Sequence, residues 1–142
     1  MHNRLLVTGT LLLALTGQTA LSGDETRQLV ELPAMMQSHM LSNMRDHLTS
    51  LNAILQYLDR GELDQAAELA ESRLGMSSLE LHGASHMAKY MPQGMQEAGT
   101  AMHQAASRFA LKAQEGDPLS AYRMLSGITS ACVACHSGYR IK

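Results

Sequence analysis

The sequence predicts an all-α protein, an antiparallel up-and-down four-helix bundle. Three observations predict it. Apolar residues recur at alternating steps of three and four through most of the chain, and no segment alternates convincingly as a strand would. Proline and glycine at 33, 61, 75, 92, 116 and 118 punctuate that pattern where helices should start or stop. Two of the connections between periodic stretches are very short, which favours antiparallel neighbours.

The first residues read as a secretory signal. Met1-His2-Asn3-Arg4 is a short basic start. Leu5 to Leu15 is an apolar run of 11 residues, too short for the ~20 residues a membrane span needs. Ala20-Leu21-Ser22 offers a small-residue cleavage site before Gly23. An uncleaved anchor is disfavoured by the length of the run, and a lipoprotein by the lack of a cysteine near the site. Residues 1–22 are therefore expected to be removed on export to the periplasm. Residues 23–142 remain as one domain of about 120 residues, enough for a real core.

The first helix should open at Pro33 and carry a heptad seam of Leu41, Met44, Leu48, Leu51, Leu55 and Leu58. Gly61 stands where a C′ glycine belongs. A second helix, about Glu62 to Leu74, places Leu63, Ala66, Ala67, Ala70 and Leu74 on one face, and Gly75 stops it. Its opening is similar to a tetratricopeptide half-repeat, but it occurs once, so a solenoid is rejected. Residues 76–92 are the least regular and suit a crossover. Ser77 and Glu80 suggest a capping box for a short helix that Pro92 breaks.

The third helix should run from near Pro92 to about Glu115, with Met95, Gly99, Met102, Ala106, Phe109 and Ala113 in its seam. Its glycine and alanines would let a bulky flat group approach the backbone. Gly116 ends it. The fourth begins at Asp117 as N-cap with Pro118 at N1. Its seam is Ala121, Leu125, Ile128, Cys132, Cys135 and Tyr139.

That last seam contains Cys132-Val133-Ala134-Cys135-His136, the C-x-x-C-H signature of covalent c-type haem attachment. On a helix the two thiols and the imidazole share one face, so one macrocycle can be held by two thioethers and ligated by the histidine. A thioredoxin-like redox pair would expect a βαβ setting with the motif opening a helix, whereas here it closes one. A zinc site would want further ligands at regular spacing. One covalent haem c inside the bundle is the expectation. Composition agrees, since a chain with no Trp, one Phe and 11 Met must find bulk elsewhere.

Charge excludes other partners. Loss of residues 1–22 removes Arg4 and no acid, leaving 10 Lys+Arg against 13 Asp+Glu, a net charge of −3. With no basic cluster, nucleic acid and anionic membranes are poor partners. No nucleophile–base–orienter set is visible, so no enzyme is expected.

The run from Cys132 to Arg140 resembles the C-terminal C-x-x-C-H-x-x-aromatic-Arg of the cytochrome c′ family, including its low-spin methionine-ligated relatives. Met40-Leu41-Ser42-Asn43-Met44-Arg45 is similar to the first-helix stretch where those relatives place a distal methionine. The resemblance implies covalent attachment at Cys132 and Cys135, His136 as proximal iron ligand, and Arg140, one turn on, over that imidazole. It also implies one-electron transfer with redox partner proteins, and it admits a homodimer through the first two helices.

For the distal ligand, Met36, Met40 and Met44 lie at i, i+4, i+8. Antiparallel first and last helices would bring this group beside His136, with Met40 the first choice and Met36 and Met44 the alternates. An open distal site would instead bind a diatomic gas, nitric oxide or carbon monoxide. A haem-free metal-handling protein is the third reading. Met87, Met91, Met95 and Met102 would suit copper(I) as thioethers, though pocket lining or core filling is favoured. His82 and His86 have metal-ligand spacing at i, i+4 but no identifiable third ligand, so solvent-facing or hydrogen-bonded side chains are expected there. His39, His47 and His103 are lesser alternatives for the iron.

Overall fold

A computed structural model describes residues 25–142, so the signal segment and the cleavage site expected before Gly23 lie outside the described residues. The chain is mostly helical. It runs β1 (Gln28–Val30), α1 (Ala34–Asp59), α2 (Leu63–Arg73), a 3-10 turn (Met76–Ser78), α3 (Ala84–Ala88), α4 (Gln93–Ala113), α5 (Pro118–Gly138) and β2 (Tyr139–Ile141). Four of the five helices stand where the periodicity predicts them. Helix α4 packs on α5 and α2, and α2 packs on α1.

The local stops follow from the residues. After α1, Gly61 takes φ +73°, and the Glu62 N–H donates to the Tyr57 carbonyl at 2.8 Å while the Gly61 N–H donates to Leu58 at 3.1 Å. This pair of bonds is a Schellman motif, which needs a residue tolerant of the left-handed region. At the start of α5, the Asp117 carboxylate accepts from the Leu119 N–H at 3.1 Å with Pro118 next in line.

Three local expectations change. No strand was expected, yet β1 and β2 form a parallel pair with Gln28, Leu29 and Val30 opposite Tyr139, Arg140 and Ile141. Three residues per strand are too few to leave a period in sequence. This ladder ties the entry to α1 to the exit from α5. It also takes Tyr139 out of the helix into extended backbone (φ −132°, ψ 150°), so Arg140 is a strand residue and not one helical turn beyond His136. Finally, Ser77 does not cap with Glu80. Its N–H and hydroxyl both donate to the Glu71 carboxylate, and the next helix waits until Ala84.

The seam of α1 is displaced by one residue. Its inward stripe is Met40, Asn43, Ser50 and Ile54, all buried. Leu41, Leu48 and Leu55 are 41%, 69% and 41% exposed, while Leu51 and Leu58 pack on the flank of the core. The leucine stripe scores higher for hydrophobicity. The polar stripe wins because Asn43 finds a buried partner, described below.

Two clusters form the interior. One is closed around Ile54, Leu74, Phe109 and Ile128, none more than 1% exposed, and is lined with alanines of α2, α4 and α5. Such small side chains let helices approach closely and leave few voids. The other gathers Val30, Leu32, Met40, Met87 and Met95 near the β-ladder, and it borders open space.

Candidate functional site

Above the closed cluster lies a cavity of about 570 Å³, within the range of small-molecule and cofactor sites. Its wall is mainly apolar. The face from α5 carries Ala131, Cys132, Cys135 and His136. Tyr139 and Arg140 of β2 continue it. From α1 come Met40, Asn43, Met44 and His47, and from α4 Met95, Gly99, Met102 and His103. The segment before α4 contributes His82, Met87 and Met91.

The structure thus brings most of the expected site residues together. Cys132, Cys135, His136, Arg140, Met40 and Met44 all line one cavity. Met36 does not line it; it is half-buried against the neighbouring apolar cluster. Both cysteines are free and half-buried. Burial pushes both thiols above the ordinary thiol range, and for Cys135 the neighbouring Cys132 adds to the effect. The second methionine group, Met87, Met91, Met95 and Met102, lines the cavity throughout.

Arg140 Nε is shielded from solvent and has no hydrogen bond; Glu25 stands 4.0 Å away. The ladder places the guanidinium at the cavity edge. Gly94, at the start of α4, leaves room for the Tyr139 hydroxyl, which a Cβ there would meet.

Sequence reasoning missed the histidine arrangement. His86 is exposed, and the hydrogen-bonded alternative holds for His82, whose Nδ1 lies 3.3 Å from the Ser78 hydroxyl. His82 is 4% exposed and packs against His47 of α1 and His103 of α4, with ring centroids 4.6 Å and 5.5 Å away. The chain turns at Gly83, φ +61°, which aims the His82 carbonyl at α1. There the Asn43 amide donates to it at 3.0 Å and His39 Nε2 lies 2.9 Å away. These bonds satisfy the polar stripe of α1 and explain the shifted seam.

Electrostatics favour uncharged rings at His47 and His82. Burial first, then the like charges of His82 and His103, hold His47 down to about 4. Burial is also the main cause lowering His82, against the pull of Asp46. Asp46 forms an ion pair with Arg73 and reaches to 3.9 Å from His82 Nε2. No signal at fixed sequence spacing announces this cluster, since its members come from positions 47, 82 and 103 on three separate segments.

Among the described residues no helix is long and apolar enough to cross a membrane. Compared with protein-family models, with curated proteins and with solved structures, the chain finds no match in any of the three.

Proposed function

We propose that this chain is a periplasmic c-type cytochrome of the cytochrome c′ kind, a four-helix bundle that holds one covalent haem for one-electron transfer. The observation that carries the reading is the cavity wall. The two cysteines and the histidine of one C-x-x-C-H motif face the same cavity as two methionines of α1. The space suits a flat apolar group, since Gly99 and Ala98 line it without bulky side chains.

Cys132 and Cys135 would form the thioether attachments, His136 would ligate the iron, and Met40 is the preferred sixth ligand, with Met44 next. Haem held in this way supplies reversible one-electron exchange at its iron. The chain's part is ligation and burial. Met40, Met87, Met95 and Met102 are all buried and keep water from the cavity wall. A low-dielectric surround and a thioether ligand both favour the reduced state. Arg140 would add a cation at the rim. The implied partners are redox proteins.

The rival thiol-exchange reading is weakened by two features. A nucleophilic cysteine wants a depressed pKa, and both thiols here are raised. The motif also ends α5 instead of starting it, where the helix dipole disfavours a thiolate.

The test is expression with a c-type maturation system, followed by intact mass and acid–acetone extraction. Polypeptide plus one haem, resistant to extraction, is expected; an apo mass beside a control cytochrome that matures would end the reading. Cys132→Ser or Cys135→Ser should weaken attachment, and His136→Ala should remove the proximal ligand. The oxidised protein should be low-spin with a weak sulfur-to-iron band, and Met40→Ala should make it high-spin and open to carbon monoxide. A wild type that is already high-spin would turn the function toward binding nitric oxide or carbon monoxide.

A further inference from the structure

Three histidines that the haem reading does not use converge at the inner edge of the cavity. His47, His82 and His103 each offer a ring nitrogen, and these atoms all lie within 4.8 Å of one another. They arrive from α1, from the turn before α3 and from α4. We propose that they form a second metal centre, which takes one divalent copper or zinc ion with a further coordination position open to the cavity. The proposal does not rest on the haem.

The hydrogen-bond pattern assigns the donor atom of His103, while at His82 Nδ1 the ion would displace a 3.3 Å contact to the Ser78 hydroxyl. His103 Nδ1 lies 2.7 Å from the Leu74 carbonyl, so this nitrogen carries the proton and Nε2 is left as ligand. His82 Nδ1 already stands 3.4 Å from His47 Nε2, close to the ~3.4 Å between two nitrogens of a tetrahedral site with metal–nitrogen bonds of about 2.0–2.1 Å. That leaves His82 Nε2 facing Asp46 at 3.9 Å. This nitrogen is buried and has no hydrogen-bond partner. A buried orphan is unusual. It is accounted for if the ring is drawn in by an ion through Nδ1 while Nε2–H turns to the Asp46 carboxylate. A carboxylate behind a ligating histidine, and a backbone carbonyl behind another, are the usual outer supports of a metal site.

The choice of ion follows from donor type. Three imidazoles suit copper and zinc over magnesium or calcium, which prefer oxygen donors. The uncharged rings of His47 and His82 offer their lone pairs without first losing a proton. Because all three residues also line the cavity, the position left open faces it. Water or a small anion would complete the shell there, as in sites with three protein ligands.

The experiment uses the full haem-loaded chain, freed of adventitious metal with a chelator. Copper(II) or zinc(II) is added and unbound metal is removed by gel filtration. One retained equivalent beyond the iron is expected, with zinc displaceable by copper. The copper paramagnetic resonance spectrum should carry hyperfine structure from three imidazole nitrogens. His82→Gln and His103→Gln should each weaken binding at least about a hundredfold, beyond the 10–100-fold typical of lost outer-shell partners. His86→Gln should leave it unchanged. Should the cavity variants not fold, the wild-type nitrogen count decides alone. No retained equivalent, fewer than three nitrogens, or equal binding by the His82→Gln and His103→Gln variants overturns the proposal. In a haem-free Cys132→Ser, Cys135→Ser chain the same equivalent is expected, so failure of the haem reading is read separately.

Discussion

The two ends of this molecule are built from different residues. The closed end packs Phe109, Ile54, Leu74 and Ile128 among alanines, and its helices touch through small side chains. The open end is walled by methionines and histidines around about 570 Å³ of space. Rigid branched and aromatic side chains specify one packing, while methionine adapts to whatever fills a gap. One end therefore closes its own core, and the other leaves the space that the proposed haem would fill.

The sharpest way to break that comparison is to truncate one side chain in each half. In a haem-free Cys132→Ser, Cys135→Ser background, Phe109→Ala should lower unfolding free energy by about 3–5 kcal/mol in urea titrations. Met87→Ala should cost roughly half as much or less, because part of its surface already faces open space. Equal costs would mean that the two ends are packed alike. In the haem-loaded protein the Met87→Ala cost should rise.

Acid should act on the open end first. In metal-free protein, folded His47 takes a proton only near pH 4, whereas the unfolded chain takes it near 6.5. Between these values the unfolded state binds more protons, so stability falls as pH falls. The loss should start below about pH 6.5, level off near pH 4 and amount to on the order of 2–3 kcal/mol, allowing for the partial exposure of His47. His82 adds in the same direction. Thermal melts against pH check this, and a flat profile would contradict the buried cluster.

The smallest expected effect is at the turn that delivers His82. Gly83→Ala must hold φ near +61°, and its Cβ would stand 3.1 Å from His39 Nε2. A loss of about 1–2 kcal/mol is expected. The change should also loosen the histidine cluster while leaving the closed end's hydrogen exchange unaltered.

Much of the fold is legible along the chain. The periodicity of Ala66, Ala67 and Ala70, of Met102, Ala106 and Phe109, and of Ala121, Leu125 and Ile128 marks faces that are buried. Caps at Asp117 and Gly61 are local events between near neighbours, so local sequence suffices to predict them. The motif Cys132 to His136 is likewise local. It predicts three side chains on one helical face, and all three line the cavity.

What local pattern could not reveal depends on contacts between distant segments. In α1 the leucine stripe and the inward stripe are neighbours one residue apart. Which one faces the core depends on partners for Asn43 and His47 that lie near residue 82. The three-residue ladder joins positions over a hundred residues apart and shows no period. The histidine cluster has the same character. His82 and His86 have metal-ligand spacing but no third ligand within local reach, and the partners of His82 are His47 and His103. Spacing along a helix is set by covalent geometry and can be read from the chain, whereas the meeting of side chains from two helices and a turn is set by how whole faces pack.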